Sequence, residues 1–135
     1  MTRINLVKVE ELSDQHLIAE YRELPRCLKQ KVNLKDAPDR YTLGKGHVKW
    51  ASKYPAFLLN RYDKIIKEMH YRGFKTNYTC QSLIEYVYTT KNDLIPNIYR
   101  INDIDMNISK ERIKERYNMK KEWYRWTKRD KPDWL

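Results

Sequence analysis

Asp14-Gln15-His16-Leu17-Ile18-Ala19-Glu20-Tyr21-Arg22-Glu23-Leu24-Pro25-Arg26-Cys27-Leu28 is the stretch that decides the fold class. Leu17, Tyr21, Leu24 and Leu28 recur at spacings of four, three and four, the period of one helix face. Ser13 or Asp14 is a suitable N-cap, and the pattern predicts a helix reaching about Val32. Gln15, Ala19, Arg22 and Arg26 fall on the opposite side, with His16 and Glu23 beside them. One face therefore packs on a core, and the other offers cations around a single carboxylate. Pro25 removes one backbone hydrogen bond and should kink the helix near Arg26.

Further along, Val32 to Arg40 carries Asn33, Asp36, Pro38 and Asp39 and reads as a connection. A second helix is expected from about Gly46, disturbed at Pro55, through Phe57, Leu58, Tyr62, Ile65, Ile66 and Met69, with Gly73 as its C-terminal cap. Ile84 to Tyr88 has strand-like composition but also suits a short helix, and Pro96 with its polar neighbours marks a long surface loop. A third helix is expected from about Ser109, over Ile113 and Tyr117, ending before Trp123. Asp103 and Asp105 cap or precede it, and a basic, aromatic tail follows to Leu135. The expected fold is all-α: a compact single domain, residues 1–135, of about three helices with long connecting loops.

Composition narrows the function. The 135 residues suffice for one modest core. Twenty-eight basic against 18 acidic residues give a net charge of +10, which points to a polyanion. Eleven tyrosines and four tryptophans, many interleaved with Lys and Arg, suit base stacking beside phosphate contact as well as ordinary packing. Cys27 and Cys80 form no disulfide framework and are expected as reduced thiols. No signal-peptide pattern or membrane-length apolar run is present, so a cytoplasmic location is expected. The scattered histidines and distant cysteines have no metal-ligand spacing. Gly44-Lys45-Gly46-His47 lacks the spacing of a nucleotide-phosphate loop and reads as a tight turn into the second helix.

The N-terminus supplies a candidate nucleophile. Thr2 is small, so removal of Met1 is expected to expose its amine. An α-amino group titrates near about 7.7–8.0, against about 10.4 for lysine, so far more of it is nucleophilic at neutral pH. Arg3, Arg22 and Arg26 nearby would favour the unprotonated amine further.

Met1 to Arg26 strongly resembles the phage pyrimidine-dimer DNA glycosylases, the endonuclease V type of T-even bacteriophages. The resemblance returns in Leu43-Gly44-Lys45-Gly46-His47-Val48, in Arg72-Gly73-Phe74, loosely from Ile108-Ser109 to Arg112, and in Trp123-Tyr124-Arg125. It implies an all-α domain whose N-terminal segment runs between helices and presents its amine at the DNA-facing surface. It implies a bifunctional glycosylase and abasic-site lyase acting on UV-induced cyclobutane pyrimidine dimers in double-stranded DNA. In that reading Thr2 is the nucleophile and Glu23 the acid/base carboxylate, with no metal or cofactor. Arg3, Arg22 and Arg26 would hold phosphates flanking the lesion, and Gln15, His16 and Lys45 would add contacts. The family's Trp-Tyr-Lys-Tyr-Tyr stretch, implicated in damage recognition, corresponds here to Trp123-Tyr124-Arg125-Trp126-Thr127, with Lys121 just before it. A monomer of this size suffices for the task.

The chain departs from the better-known relatives between Arg26 and Gly44, where it is shorter, and between Thr76 and Asp105, where it is longer and divergent. The same chemistry on another damaged or modified base, a non-catalytic DNA-binding module and a metal-dependent nuclease stand as alternatives. Thr2 and Glu23 separate the lyase from a binding module, because binding alone needs neither.

Overall fold

The computed structural model describes residues 4–135. Thr2 and Arg3 lie outside the described residues. Five α-helices carry the architecture: α1 (Asp14–Lys29), α2 (His47–Lys53), α3 (Pro55–Tyr71), α4 (Cys80–Thr90) and α5 (Asp103–Met119). Short 3-10 turns stand at Val9–Glu11, Gly44–Gly46, Asn92–Leu94 and Lys121–Trp123, and no strand occurs among the described residues. The all-α expectation holds, but among the described residues the helices number five rather than about three.

Ser13 caps α1 by accepting the His16 amide at 3.1 Å. Leu17, Tyr21, Leu24 and Leu28 are all buried, and the helix packs against α2 and α3. It continues through Pro25 and stops at Lys29, short of Val32. The single helix expected over residues 46–73 is two. A residue preceding proline is disfavoured in the helical region, so Tyr54 leaves it (φ −125°, ψ 64°). Pro55 then starts α3 at a position where its missing N–H costs nothing. Gly73, at φ +89°, follows α3 in the left-handed conformation expected of its cap, and the Phe74 amide closes back on the Met69 carbonyl at 2.9 Å.

Of the two readings of Ile84 to Tyr88, the helix is the one formed, and α4 buries only Leu83 and Val87. The last helix begins six residues before Ser109, because Asn102 and Asp105 form a reciprocal capping box. Its inward residues are Asp105, Ser109 and Ile113. Asp105 also accepts from Tyr99 at 2.7 Å and pairs with Arg40.

The centre of the molecule is the N-terminal segment. Ile4, Leu6, Val7 and Val9 are buried in the common core. With no neighbouring strand, the polar backbone of this segment is satisfied by side chains. Ile4 N–H donates to His47 Nε2 at 3.0 Å, and its carbonyl accepts from Tyr41 Oη at 2.6 Å. Asn5 donates to Glu20 from its backbone at 3.2 Å and from Nδ2 at 3.0 Å. Leu6 N–H donates to Ser109 Oγ at 2.9 Å, and the Val7 carbonyl accepts from Arg61 at 2.7 Å. Arg61 and Glu20 form a buried ion pair. Removing either partner would leave an uncompensated charge at the core.

Candidate active site

The outer face of α1 places the polar residues in order along one side. His16 and Glu23 lie seven residues apart, two turns and about 10 Å along the axis. Arg22 is exposed. Glu23 is only 17% exposed at its side chain and accepts from Arg26 Nη1 at 3.0 Å, while Arg26 itself is 72% exposed. Asn5 is tied to Glu20, one helical turn before Glu23.

Two cavities open beside these arginines. One, of about 300 Å³, is walled by Pro25, Tyr62, Tyr78 and Leu83 and rimmed by Arg22, Arg26 and Lys29. The other, of about 520 Å³, shares Arg22, Arg26 and Tyr78 and adds Tyr21, Phe74 and Lys75. The loop between α3 and α4 forms much of the larger cavity's wall and lends Tyr78 and Thr79 to the smaller. It is fixed there by Tyr21 Oη, which accepts from the amides of Asn77 at 2.8 Å and Tyr78 at 2.9 Å.

Gln15 and His16 serve the tail. The Gln15 amide donates to the Trp123 carbonyl at 2.8 Å and accepts the Arg125 amide at 3.0 Å. The His16 ring stacks on Tyr124 with centroids 4.9 Å apart and planes 4° apart. Burial, and secondarily the nearby Arg116 cation, pulls the His16 pKa down to about 4, so the ring is neutral at physiological pH. Both residues thereby brace the segment that carries Trp123, Tyr124 and Arg125. Trp123 is 57% exposed, and Lys121 and Arg125 are exposed beside it.

The tail is fastened below that point. The Arg125 carbonyl accepts the Asp14 amide at 2.7 Å. Thr127 Oγ1 donates to Asp14 at 2.6 Å, and Arg129 donates to Glu68 at 2.8 and 2.9 Å. Arg72 bridges these two carboxylates, donating to Asp14 at 2.9 Å and to Glu68 at 2.8 Å. Burial alone raises the Glu68 pKa, but hydrogen bonds from Arg129 and Arg72 outweigh it and leave the carboxyl below its usual value.

The turn carrying Lys45 is exposed. Its second glycine is required by packing: a Cβ on Gly46 would sit 2.9 Å from Pro38 Cγ. The turn delivers His47, whose link to Ile4 the sequence reading missed. Glu20 was missed too, although its position between Leu17 and Leu24 on the apolar stripe signals a buried, partnered charge.

The structure thus brings Arg22, Glu23 and Arg26 together on one face and joins Gln15, His16, Trp123, Tyr124 and Arg125 at its head. Lys121 shares the 3-10 turn of Trp123, and Lys45 stands apart on the exposed turn before α2. The family described as pyrimidine dimer DNA glycosylase matches residues 1–82, which hold the N-terminal segment, α1, α2, α3 and the first residues of α4. With well over half its length matched, the chain belongs to the pyrimidine dimer DNA glycosylase family.

Proposed function

We propose that the protein, once Met1 is removed, is a bifunctional N-glycosylase and abasic-site lyase on cyclobutane pyrimidine dimers in duplex DNA. The amine of Thr2 is the nucleophile and Glu23 the carboxylate. The observation that carries this reading is the course of the N-terminal segment. Asn5 is anchored to Glu20, one turn before Glu23, and only three steps of chain, at most about 3.6 Å each, lead from Asn5 to Thr2.

The amine nitrogen attacks the sugar C1′, the C–N bond to the base breaks, and the base leaves with a proton. Loss of a proton from nitrogen and opening of the sugar ring give an imine. The imine acidifies the C2′ hydrogen; its removal expels the 3′ phosphate and cuts the strand. Glu23 stabilises the positive charge that develops on the sugar and then relays protons around the imine. Arg22 and Arg26 hold phosphates at the rim of the cavities, where a displaced nucleotide would be received.

The same chemistry on another base is the second reading. It is favoured by one feature: the wall of the smaller cavity, through Tyr78, Thr79, Ser82 and Leu83, runs to the end of the family-matched residues, where the chain departs from the better-known relatives.

Borohydride trapping in EDTA tests both. Processed protein is incubated with one duplex carrying a thymine dimer and one carrying an abasic site. Covalent adducts on both are expected. An adduct only on the abasic duplex keeps the lyase and transfers the substrate to another base. No adduct on either makes the protein a binding module.

A further inference from the structure

We propose that His47 is a positioning residue for the attacking amine: by accepting the Ile4 amide it sets where the N-terminal residues leave the core. The proposal rests on the amine reading above and adds a residue to it.

The hydrogen-bond roles of the ring are forced. Ile4 N–H can only donate, so His47 Nε2, 3.0 Å away, must present its lone pair. His47 Nδ1 lies 2.8 Å from the Thr42 carbonyl, which can only accept, so Nδ1 carries the proton. Both nitrogens are thus committed in a single neutral tautomer.

The ring has no room to move. His47 is 2% exposed. Tyr41 meets it edge-on at 5.6 Å and Trp50 flanks it at 5.7 Å. Even a Cβ on Gly46 before it would sit 2.9 Å from Pro38 Cγ.

Ile4 is gripped at both polar ends, since Tyr41 Oη donates to its carbonyl at 2.6 Å. Burial pushes the Tyr41 phenol well above its ordinary pKa, so it remains a donor throughout the physiological range. Glu20, Ser109 and Arg61 hold residues deeper in the segment. His47 and Tyr41 therefore act on the described residue closest to Thr2. A displacement of about 1 Å at a reacting atom can slow a reaction by about 100-fold, so this grip bears on rate rather than only on stability.

Two substitutions separate the two nitrogens. His47→Asn places a polar atom near the Nδ1 position and loses Ile4. His47→Gln places a carbonyl near the Nε2 position and keeps an acceptor for Ile4. The readout is single-turnover borohydride trapping by the processed full chain on an abasic duplex, well below each variant's Tm, with Kd measured on the same duplex. We expect His47→Asn to trap at least about tenfold more slowly with Kd nearly unchanged, and His47→Gln to recover most of the rate. A wild-type rate in His47→Asn overturns the proposal, as does an equal loss in both variants, which makes His47 a packing residue.

Should His47→Asn fail to fold, Tyr41→Phe decides. It drops the bond to the Ile4 carbonyl while keeping the ring, and unimpaired trapping overturns the grip on Ile4. Wild-type protein that does not trap overturns the amine reading and this proposal together, whereas trapping by wild type and variants alike overturns this one alone.

Discussion

At the scale of single residues, two groups on α1 sit two turns apart and do different work. Glu23 is largely shielded and paired with Arg26, whose own side chain is open to solvent. Replacing it with glutamine keeps shape and hydrogen-bonding capacity but removes the charge that, under the proposed function, stabilises the sugar cation. Glu23→Gln is expected to bind dimer-containing duplex with a Kd close to wild type and to lose at least about 100-fold in glycosylase turnover. Unchanged turnover would remove Glu23 from the chemistry. His16, by contrast, makes a pH-dependent contribution to stability. Its folded pKa of about 4 lies below the ordinary value of 6.5, so the unfolded chain takes up the proton first as pH falls. The stabilisation is complete above pH 6.5 and is lost progressively down to about pH 4. Glu68, with a depressed carboxyl pKa, keeps its contribution until the more acid carboxylate range. His16→Phe retains a ring to stack on Tyr124 and cannot titrate. Its Tm should therefore change less than that of wild type between about pH 6.5 and 4.5. Parallel Tm curves for the two proteins would contradict the buried, neutral ring.

At the scale of elements, the tail is an element without regular structure, and ion pairs give it a fixed place. Arg72 has no exposed side-chain surface, and it joins Asp14 at the start of α1 to Glu68 near the end of α3. The tail completes this network through Thr127 and Arg129. Thr127→Val removes a hydroxyl from a part-buried carboxylate and should cost about 1–3 kcal/mol in denaturant unfolding, with Thr127→Ser close to wild type. Equal stability in all three proteins would mean that the hydroxyl contributes nothing. Little of this was legible in the sequence. Thr127 read only as a departure from an aromatic stretch, because no local pattern ties it to Asp14, 113 residues away. α1 was legible because four apolar residues mark its buried face. α4 was not, because it buries only Leu83 and Val87. The start of α5 was hidden because its inward face includes Asp105 and Ser109, which serve a capping box and the Leu6 amide instead of an apolar core. The face of Arg22, Glu23 and Arg26 was legible from helical spacing alone, whereas the roles of His47 and Glu20 depend on partners 43 and 15 residues away.

At the scale of the whole molecule, the net charge of +10 is displayed selectively. Asp14, Glu20, Glu68 and Asp105 are buried, and their partners Arg72, Arg61, Arg129 and Arg40 are engaged with them. These groups neutralise one another, with the carboxylates buried and Arg40 and Arg129 reaching in from the surface. Arg22, Arg26, Lys45, Arg116, Lys121 and Arg125 remain exposed. Arginines of this chain therefore divide into structural and available ones, and salt dependence distinguishes them. Each phosphate neutralised releases counterions and adds about 0.9 to the slope of log K against log salt concentration. Arg22→Ala is expected to reduce that slope by about 1 between roughly 50 and 200 mM salt, equally on damaged and undamaged duplex. Arg72→Met should instead lower Tm strongly, because it removes the buried cation shared by Asp14 and Glu68, and leave the slope of the folded protein intact. Anisotropy titrations with labelled duplex across that salt range decide the matter. An unchanged slope in Arg22→Ala would move the phosphate contacts off α1 and leave Arg22 to act only at the rim of the cavities.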